Sequence, residues 1–563
     1  MTAQPNEVHA LADELLDLAF SADPMHATLI GVPGYDEVLG DPSEAADAAF
    51  RDRATDIADR AAAIDPSTLD AEDAVTRLVI GQQVQSKIDR LDTRFVEFTI
   101  TGLFVSPAAQ LLSTLPLLAL SDDDRTRSYI ARLTAIPDYL AAVTQRHRAG
   151  VAAGRVPVRR LVESAVSLID RYLAEPDSDP LLRQQLSNPA LAAERARVVT
   201  EVVRPAFVRY RDVLAAEMIE PGRPDDRAGV CWLPDGESIY TRLSRVHTTT
   251  DRTPEELHQT GLDLIAALTD EYAELGSKVF GTREQRVIFD RMTTDLALRW
   301  TGAEEMLSSA MRAVERAEEA APRWFGRVPA QRCKVEPVPD AEAPSAPLAY
   351  YMIPAIDGSR PGIYFANTYQ AEERYRFNSE VIAFHEAVPG HHFQLSIAQE
   401  LTHLPMARRL SGVTAFAEGW GLYTERLADE MGLYTSDLDR LGMLAMDSLR
   451  AGRLVVDTGI HAKGWSRQQA IDYLRDNTPV SILEITSEVD RYIAYAGQAL
   501  SYMVGRLEIQ RIRAAAQRRL GSAFDIRAFH DLVLGGGSLA LNVLDQVVSG
   551  WVDRQLGGPA GAP

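Results

Sequence analysis

Apolar residues recur at helical spacing through the first two hundred positions. Leu11, Leu15, Leu16 and Phe20 share one face of a 3.6-residue repeat, and the same periodicity runs through 72–92, 128–149, 157–174 and 180–216. Successive amphipathic helices are predicted across 6–220, broken where turn formers gather at Pro33-Gly34 and Asp122-Asp123-Asp124. No internal repeat or low-complexity tract is visible. The pattern fails at 220–253, where Pro221-Gly222-Arg223-Pro224 and Leu233-Pro234-Asp235-Gly236 interrupt it. A new helix should open at Thr253-Pro254-Glu255-Glu256, with a capping threonine, proline at the first helical position and glutamate three residues after the cap. The chain reads as an N-terminal helical region, 1–230, and a second helical region, 231–563, within one integrated unit.

Residues 346–369 change the period. Ala349-Tyr350-Tyr351-Met352-Ile353-Pro354 and Gly362-Ile363-Tyr364-Phe365-Ala366-Asn367 are short aromatic and β-branched runs separated by Asp357-Gly358 and Pro361-Gly362, which predicts two strands and a turn-rich loop. Either this is a structural hairpin, or its edge strand pairs with an extended peptide through main-chain hydrogen bonds. In the second case Asn367 and Tyr369 lie near the cleft. Residues 413–431 return to a helical pattern that ends before Gly432. The fold class is mainly α with a small β element.

Composition removes several function classes. With 46% hydrophobic and 25% charged residues the chain is ordinary for a globular protein, and its net charge of −22 argues against general nucleic-acid binding, which needs a basic footprint. Cys231 and Cys333 form no CxxC pair, so any metal would be held by histidine and carboxylate. The start, MTAQPNEVHALADELL, lacks a basic segment followed by an apolar core, and no stretch suits a membrane span. A cytoplasmic protein with neither nucleic-acid nor membrane partners is expected.

Chemistry concentrates at 385–394, His385-Glu386-Ala387-Val388-Pro389-Gly390-His391-His392-Phe393-Gln394, which holds three of the eleven histidines. The stretch resembles the zinc-protease signature H-E-x-x-H, in which two histidines bind zinc and the glutamate acts as general base. It departs from that signature, because Pro389 stands where the second histidine should be. In an unbroken helix i and i+4 lie about 40° apart, i+6 is about 120° off the face, and i+7 sits about 10 Å along the axis. Neither His391 nor His392 can then join His385. Proline removes a helical donor and glycine tolerates unusual backbone angles, so Pro389-Gly390 favours a bulge or local break. With two residues looped out, His391 takes the place of the second ligand, and His392 is the competitor.

A third ligand is needed. Glu418 lies on the predicted 413–431 helix, flanked by Phe416 and Trp420, with Glu425 two turns later on the same face. Gly419 and Gly421 would let this helix approach another closely. Two histidines, a glutamate and an open fourth position make a catalytic zinc arrangement, whereas structural zinc usually has four protein ligands.

HEAVPGHHFQ, AFAEGWGLYTERL, RLVVDTGIHAKGWSRQQA and YAGQALSYMVG together resemble the bacterial domain-of-unknown-function 885 family, over nearly the whole chain. That family is in turn similar to zinc carboxypeptidases of the Taq type and to other gluzincin peptidases. The resemblance implies a large helical zinc-metallopeptidase-like fold with an active-site cleft, and His391 as the second ligand with Val388-Pro389 as an insertion. Dipeptidyl peptidase III, whose motif carries one extra residue, shows that an insertion need not abolish zinc binding. The carboxypeptidase likeness also suggests a homodimer.

Two further stripes enter the site hypothesis. Arg453, Asp457 and His461 fall at i, i+4 and i+8; they form either a surface ion-pair ladder or a set in which Asp457 orients a metal-binding histidine and His461 contacts substrate. Arg491, Tyr495, Gln498, Tyr502 and Arg506 make a second face at helical spacing. In gluzincins a tyrosine from a C-terminal helix donates to the oxyanion, a role Tyr495 or Tyr502 could take, with structural tyrosines as the alternative. An arginine of the stripe could clamp a substrate carboxylate, as exopeptidase action at a C-terminus requires. The resulting expectation is a zinc hydrolase of short peptides, carboxypeptidase-like, with Zn²⁺ on His385, His391 and Glu418 and with Glu386 as base. A zinc hydrolase of another amide or ester is the first alternative, and a catalytically silent binding protein the second.

Overall fold

The computed structural model describes residues 7–557, apart from 340–342, 344–346, 357 and 359. The predicted turn residue Asp357 and the first residue of the 346–369 segment lie outside the described residues. The chain is mainly α-helical with one small sheet. The N-terminal helices Glu7–Ala22, Glu44–Ala63, Ala71–Asp92, Asp123–Thr134, Ile136–Ala152 and Arg159–Ala174 follow the predicted periodicity. The expected helix over 180–216 differs. It begins only at Pro189, where the Asn188 side chain accepts from the amides of Ala190 and Leu191, and it is interrupted by wider π turns at Val199–Val203 and Leu214–Met218. Pro205 follows the first of these turns and has no N–H to continue the regular ladder. At Thr253 both halves of the capping box form and start the long helix Pro254–Val279.

The sheet has three strands where sequence predicted two. β1 (Lys334–Pro337) runs parallel to β3 (Ile363–Ala366), and β2 (Ala349–Met352) pairs antiparallel on the other side, with Tyr350 opposite Phe365 and Tyr351 opposite Tyr364. β3 is central and fully buried; β2 is an edge.

Two helix pairs frame the interior. Helix Pro254–Val279 packs along Asp437–His461, where Gly261 leaves room for Leu454 and Val455. Helix Thr414–Glu430 packs along Leu500–Leu520 at Gly419 and Gly505; a Cβ on Gly419 would stand 2.4 Å from the Gly505 Cα, so the backbones themselves touch. Phe384, Phe416, Trp420 and Ile509 belong to a core that also takes Val75 and Val79 from the N-terminal helix Ala71–Asp92. Among the described residues, no helix is long and apolar enough to cross a membrane.

Candidate metal centre and cavity

The histidine motif straddles two helices. Helix Ser379–Glu386 ends just after His385, and His391–Glu400 begins at His391. Between them Ala387 (φ −106°, ψ −99°) and Gly390 (φ −79°, ψ −126°) leave helical geometry, so the interruption is a break between helices. The freed groups find partners: the Trp420 indole N–H donates to the Pro389 carbonyl at 2.9 Å, and the Thr424 hydroxyl donates to the Phe384 carbonyl at 3.2 Å. Only glycine fits at 390, since a Cβ would stand 1.9 Å from the His385 carbonyl oxygen.

This break brings the expected ligands together. The ligating atoms of His385, His391 and Glu418 all lie within 4.8 Å of one another, and each Nε2 is 3.6 Å from Glu418 Oε2. Donors around a tetrahedral ion at metal distances of about 2.0–2.1 Å stand roughly 3.3 Å apart. The two rings meet edge to face at 4.8 Å. Gly421 lets the His385 ring lie on helix Thr414–Glu430, for a Cβ there would sit 2.7 Å from Cε1.

Glu425, two turns beyond Glu418, is fully buried and accepts from His385 Nδ1 at 2.8 Å. That bond puts the His385 proton on Nδ1 and turns the Nε2 lone pair toward Glu418. Nε2 of His385 and of His391 thus converge with a Glu418 oxygen, and His391 Nδ1 is buried without a hydrogen-bond partner. Without a cation a proton must fill that space. Burial pushes the His385 imidazole down, but hydrogen bonding to Glu418 and Glu425 outweighs it and lifts the group to about 9. Burial likewise raises Glu418, and the two histidines overcome it and hold the carboxyl well below the usual range. The donor set fits a divalent ion with N and O ligands.

The cluster opens on a cavity of about 600 Å³. Glu386 lines it beside His385 and His391; Tyr350 and Tyr351 of β2, Tyr502, and Arg450, Arg453 and Arg491 form other parts of the wall, and Phe104 reaches it from the N-terminal region. Tyr502 lies nearly parallel to the His385 ring, 6.5 Å away, and Arg453 covers its other environs at 4.5 Å. Burial, with Glu418 adding to it, raises the Tyr502 phenol and keeps it protonated at neutral pH.

Several expected site residues stand elsewhere. His392 turns away from the cluster: Nε2 donates to the Gln331 carbonyl and Nδ1 accepts from Tyr351, both at 2.9 Å, and burial pushes its pKa down to about 4. Asp457 does not meet the metal histidines. It accepts from Tyr240 at 2.6 Å and from the Gly497 amide at 3.1 Å, and burial lifts it to about 7. The carboxylate behind His385 is Glu425. His461 uses both ring nitrogens on main chain, accepting from Val230 N–H at 3.1 Å and donating to the Tyr492 carbonyl at 3.0 Å, so it has none for substrate. Asn367 is buried and donates to the carbonyls of Ala343 and Pro347, which locks the chain around the sheet, and Tyr369 does not line the cavity.

The stripe of 491–506 is not one helix. Helix Ile482–Ala494 stops, Gly497 turns with φ +83°, and Leu500–Leu520 starts afresh. Arg491, Gln498 and Tyr502 therefore share the cavity, with Arg491 donating to Gln498 at 2.6 Å. Tyr495 packs on His247 and Phe95, and Arg506 is paired with buried Asp447. Sequence reasoning missed Arg450, Glu484 and Glu488, which line the cavity. Arg450 stands one turn before Arg453, and Glu484 and Glu488 fall at helical spacing before Arg491; these were the available signals.

The comparisons with known proteins agree with this architecture. A crystallised protein from Colwellia psychrerythraea, provisionally described as a lipoprotein, is similar at TM-score 0.89 and 25% identity, covering 98% of this chain and 100% of that one. One from Shewanella oneidensis, provisionally described as a lipoprotein of unknown function, is similar in fold at TM-score 0.73 and 20% identity, covering 96% and 99%. No curated protein matches. The sequence profile described as "Bacterial protein of unknown function (DUF885)" matches residues 24–548, and the chain belongs to that family.

Proposed function

We propose that this protein is a zinc-dependent hydrolase that cleaves peptide bonds of short peptides. One observation carries the reading: His385, His391 and Glu418 converge on the wall of a cavity that Glu386 also lines. Zn²⁺ held by those three residues would act as a Lewis acid and bring a bound water near neutral pKa. The Glu386 carboxylate takes a proton from the attacking water and returns it to the departing amine. Tyr502 donates its O–H to the carbonyl oxygen as charge develops there. Glu425 keeps the His385 ring in one tautomer and orientation. β2, the edge strand that borders the cavity, offers main-chain groups to an extended substrate. A cavity of about 600 Å³ admits a few residues and excludes folded proteins.

The same apparatus would serve another amide or an ester, so the test identifies products as well as turnover. The zinc-reconstituted protein and Glu386→Gln are incubated with a peptide library, fragments are mapped by mass spectrometry, and zinc content is measured on both. The expected result is about one zinc per chain in each, with turnover reduced by roughly 10²–10⁴ in the variant. Turnover surviving in Glu386→Gln would overturn the mechanism. A wild-type protein that takes up no zinc after reconstitution would overturn the enzyme reading and leave a binding protein.

A further inference from the structure

The cavity wall holds three arginines, and two are closed by carboxylates. Arg453 and Arg491 both donate to Glu488, at 2.7 Å and 2.9 Å. Arg450 differs. Its side chain is only 11% exposed, yet its nearest carboxylate, Glu425 Oε1, stands 3.7 Å away and is already the acceptor of His385. Its Nη1 reaches the carbonyl oxygen of Met446 at 3.4 Å and that residue's sulfur, and its Nε is buried without a partner. Among the described residues no ion pair within 4.0 Å joins Arg450 to Glu484, a further carboxyl on this wall, although the guanidinium charge acts on that carboxyl. A guanidinium this far out of water loses solvation that one carboxylate, 3.7 Å away and shared with His385, restores only in part. The face of the Tyr502 ring lies 6.0 Å away, which makes that side of the cavity flat and aromatic. Arg450 is thus a pre-placed fork of N–H donors with an opening for one planar anion.

We propose that Arg450 is the anchor of a carboxylate-binding subsite for the substrate, with Arg453 adding positive charge beside it. The assignment rests on the hydrolase reading for the identity of the ligand as a peptide. It goes beyond that reading in stating which end or side chain is recognised. Because Arg450 stands next to Glu425, which itself holds His385, the bound carboxylate lies within a few extended residues of the metal cluster. The cleaved bond is then close to the carboxylate. A C-terminal carboxylate would make the enzyme an exopeptidase, and an aspartate or glutamate side chain would make it selective for acidic residues. The arginines singled out by sequence, Arg491 and Arg506, are occupied by Glu488 and Asp447 and do not fill this role.

Binding tests the subsite separately from turnover. Zinc-loaded Glu386→Gln protein, with and without Arg450→Gln, is titrated by calorimetry with three N-acetylated tripeptides: Ala-Ala-Ala acid, Ala-Ala-Ala amide and Ala-Glu-Ala amide. The expected result is acid binding at least about tenfold more tightly than plain amide, a preference that Arg450→Gln abolishes while zinc content and helicity stay unchanged. Arg450→Lys should retain part of the preference, because it keeps the charge and loses the fork. If the glutamate amide is instead the preferred ligand and loses that preference in Arg450→Gln, the subsite stands and takes a side chain. Equal affinity for all three peptides, or a preference that persists in Arg450→Gln, overturns the proposal. Neither result depends on whether the wild-type protein hydrolyses anything.

Discussion

Replacing Glu425 by glutamine keeps the shape of the side chain and removes one charge, which also faces Arg450 at 3.7 Å. The carboxylate lies 2.8 Å from His385 Nδ1, is fully buried, and has a second oxygen without a hydrogen-bond partner. Glutamine keeps the volume and one acceptor oxygen, so Nδ1–H remains bonded and the ring stays on Gly421. What is lost is the charge assistance. A hydrogen bond to a charged group contributes about 1.5–3 kcal/mol and a neutral one about 1, a difference of roughly 0.5–2 kcal/mol. If His385 ligates zinc, that difference falls on the bound state and predicts about a 2- to 30-fold weaker zinc affinity, reaching at its upper end the range typical for partners of metal-binding histidines. Competition with a chromophoric chelator measures it directly. Glu425→Ala should cost more, because the buried Nδ1–H then has no acceptor. Zinc affinity unchanged in Glu425→Gln, with His385→Ala abolishing binding, would refute the claim that this hydrogen bond sets the donor strength of His385.

Other perturbations probe neighbouring links. Gly421→Ala places a methyl 2.7 Å from His385 Cε1, and should weaken zinc binding about tenfold or more with the fold retained, as read by chelator competition and circular dichroism. Gly390→Ala drives a Cβ against the His385 carbonyl at 1.9 Å, and should lower unfolding stability by about 1–3 kcal/mol in urea titration; an unchanged midpoint would refute the packing argument. Tyr502→Phe should lower kcat with little change in KM or zinc content, and a raised KM with kcat unchanged would instead assign Tyr502 to substrate binding. Burial holds His147 and His461 near about 4 and His247 and His530 near about 3, below the unfolded value of about 6.5. Their contribution is present above about pH 6.5 and is lost as pH falls through about 4 for the first pair and about 3 for the second, each removing up to about 1.4 kcal/mol per pH unit. Urea midpoints that do not fall between pH 7 and 5 would contradict this.

The metal cluster was legible in sequence because its signals are local. Adjacent histidine and glutamate, a proline-glycine interruption and two glycines on the partner helix each constrain a few neighbouring backbone positions. Residues whose role depends on depth were not legible in the same way. Asp457 and His461 share a helix face with Arg453, but only Arg453 lines the cavity, while Asp457 meets Tyr240 and His461 meets the main chain of Tyr492. Spacing says which side chains share a face, and not what lies opposite it. The stripe from Arg491 to Arg506 failed for a different reason: Gly497 at φ +83° resets the helical phase, so residues on one projected face are shared between two helices. β1 was missed because Lys334-Val335-Glu336-Pro337 lacks the aromatic and β-branched density that marks its neighbours.

The contact between Gly419 and Gly505 fixes more than a crossing distance. Glu418 precedes the first glycine, and Tyr502 sits one turn before the second, so the two residues are referenced to each other through main-chain atoms alone. No rotamer intervenes in that dimension. Added bulk has nowhere to go, since a Cβ on Gly505 would meet the Ala415 carbonyl oxygen at 2.0 Å. Side chains of the wall, such as Phe104, Tyr350 and Arg450, can therefore change without disturbing that spacing. The His385, His391 and Glu418 cluster and the wall around it are separately adjustable parts of one cavity.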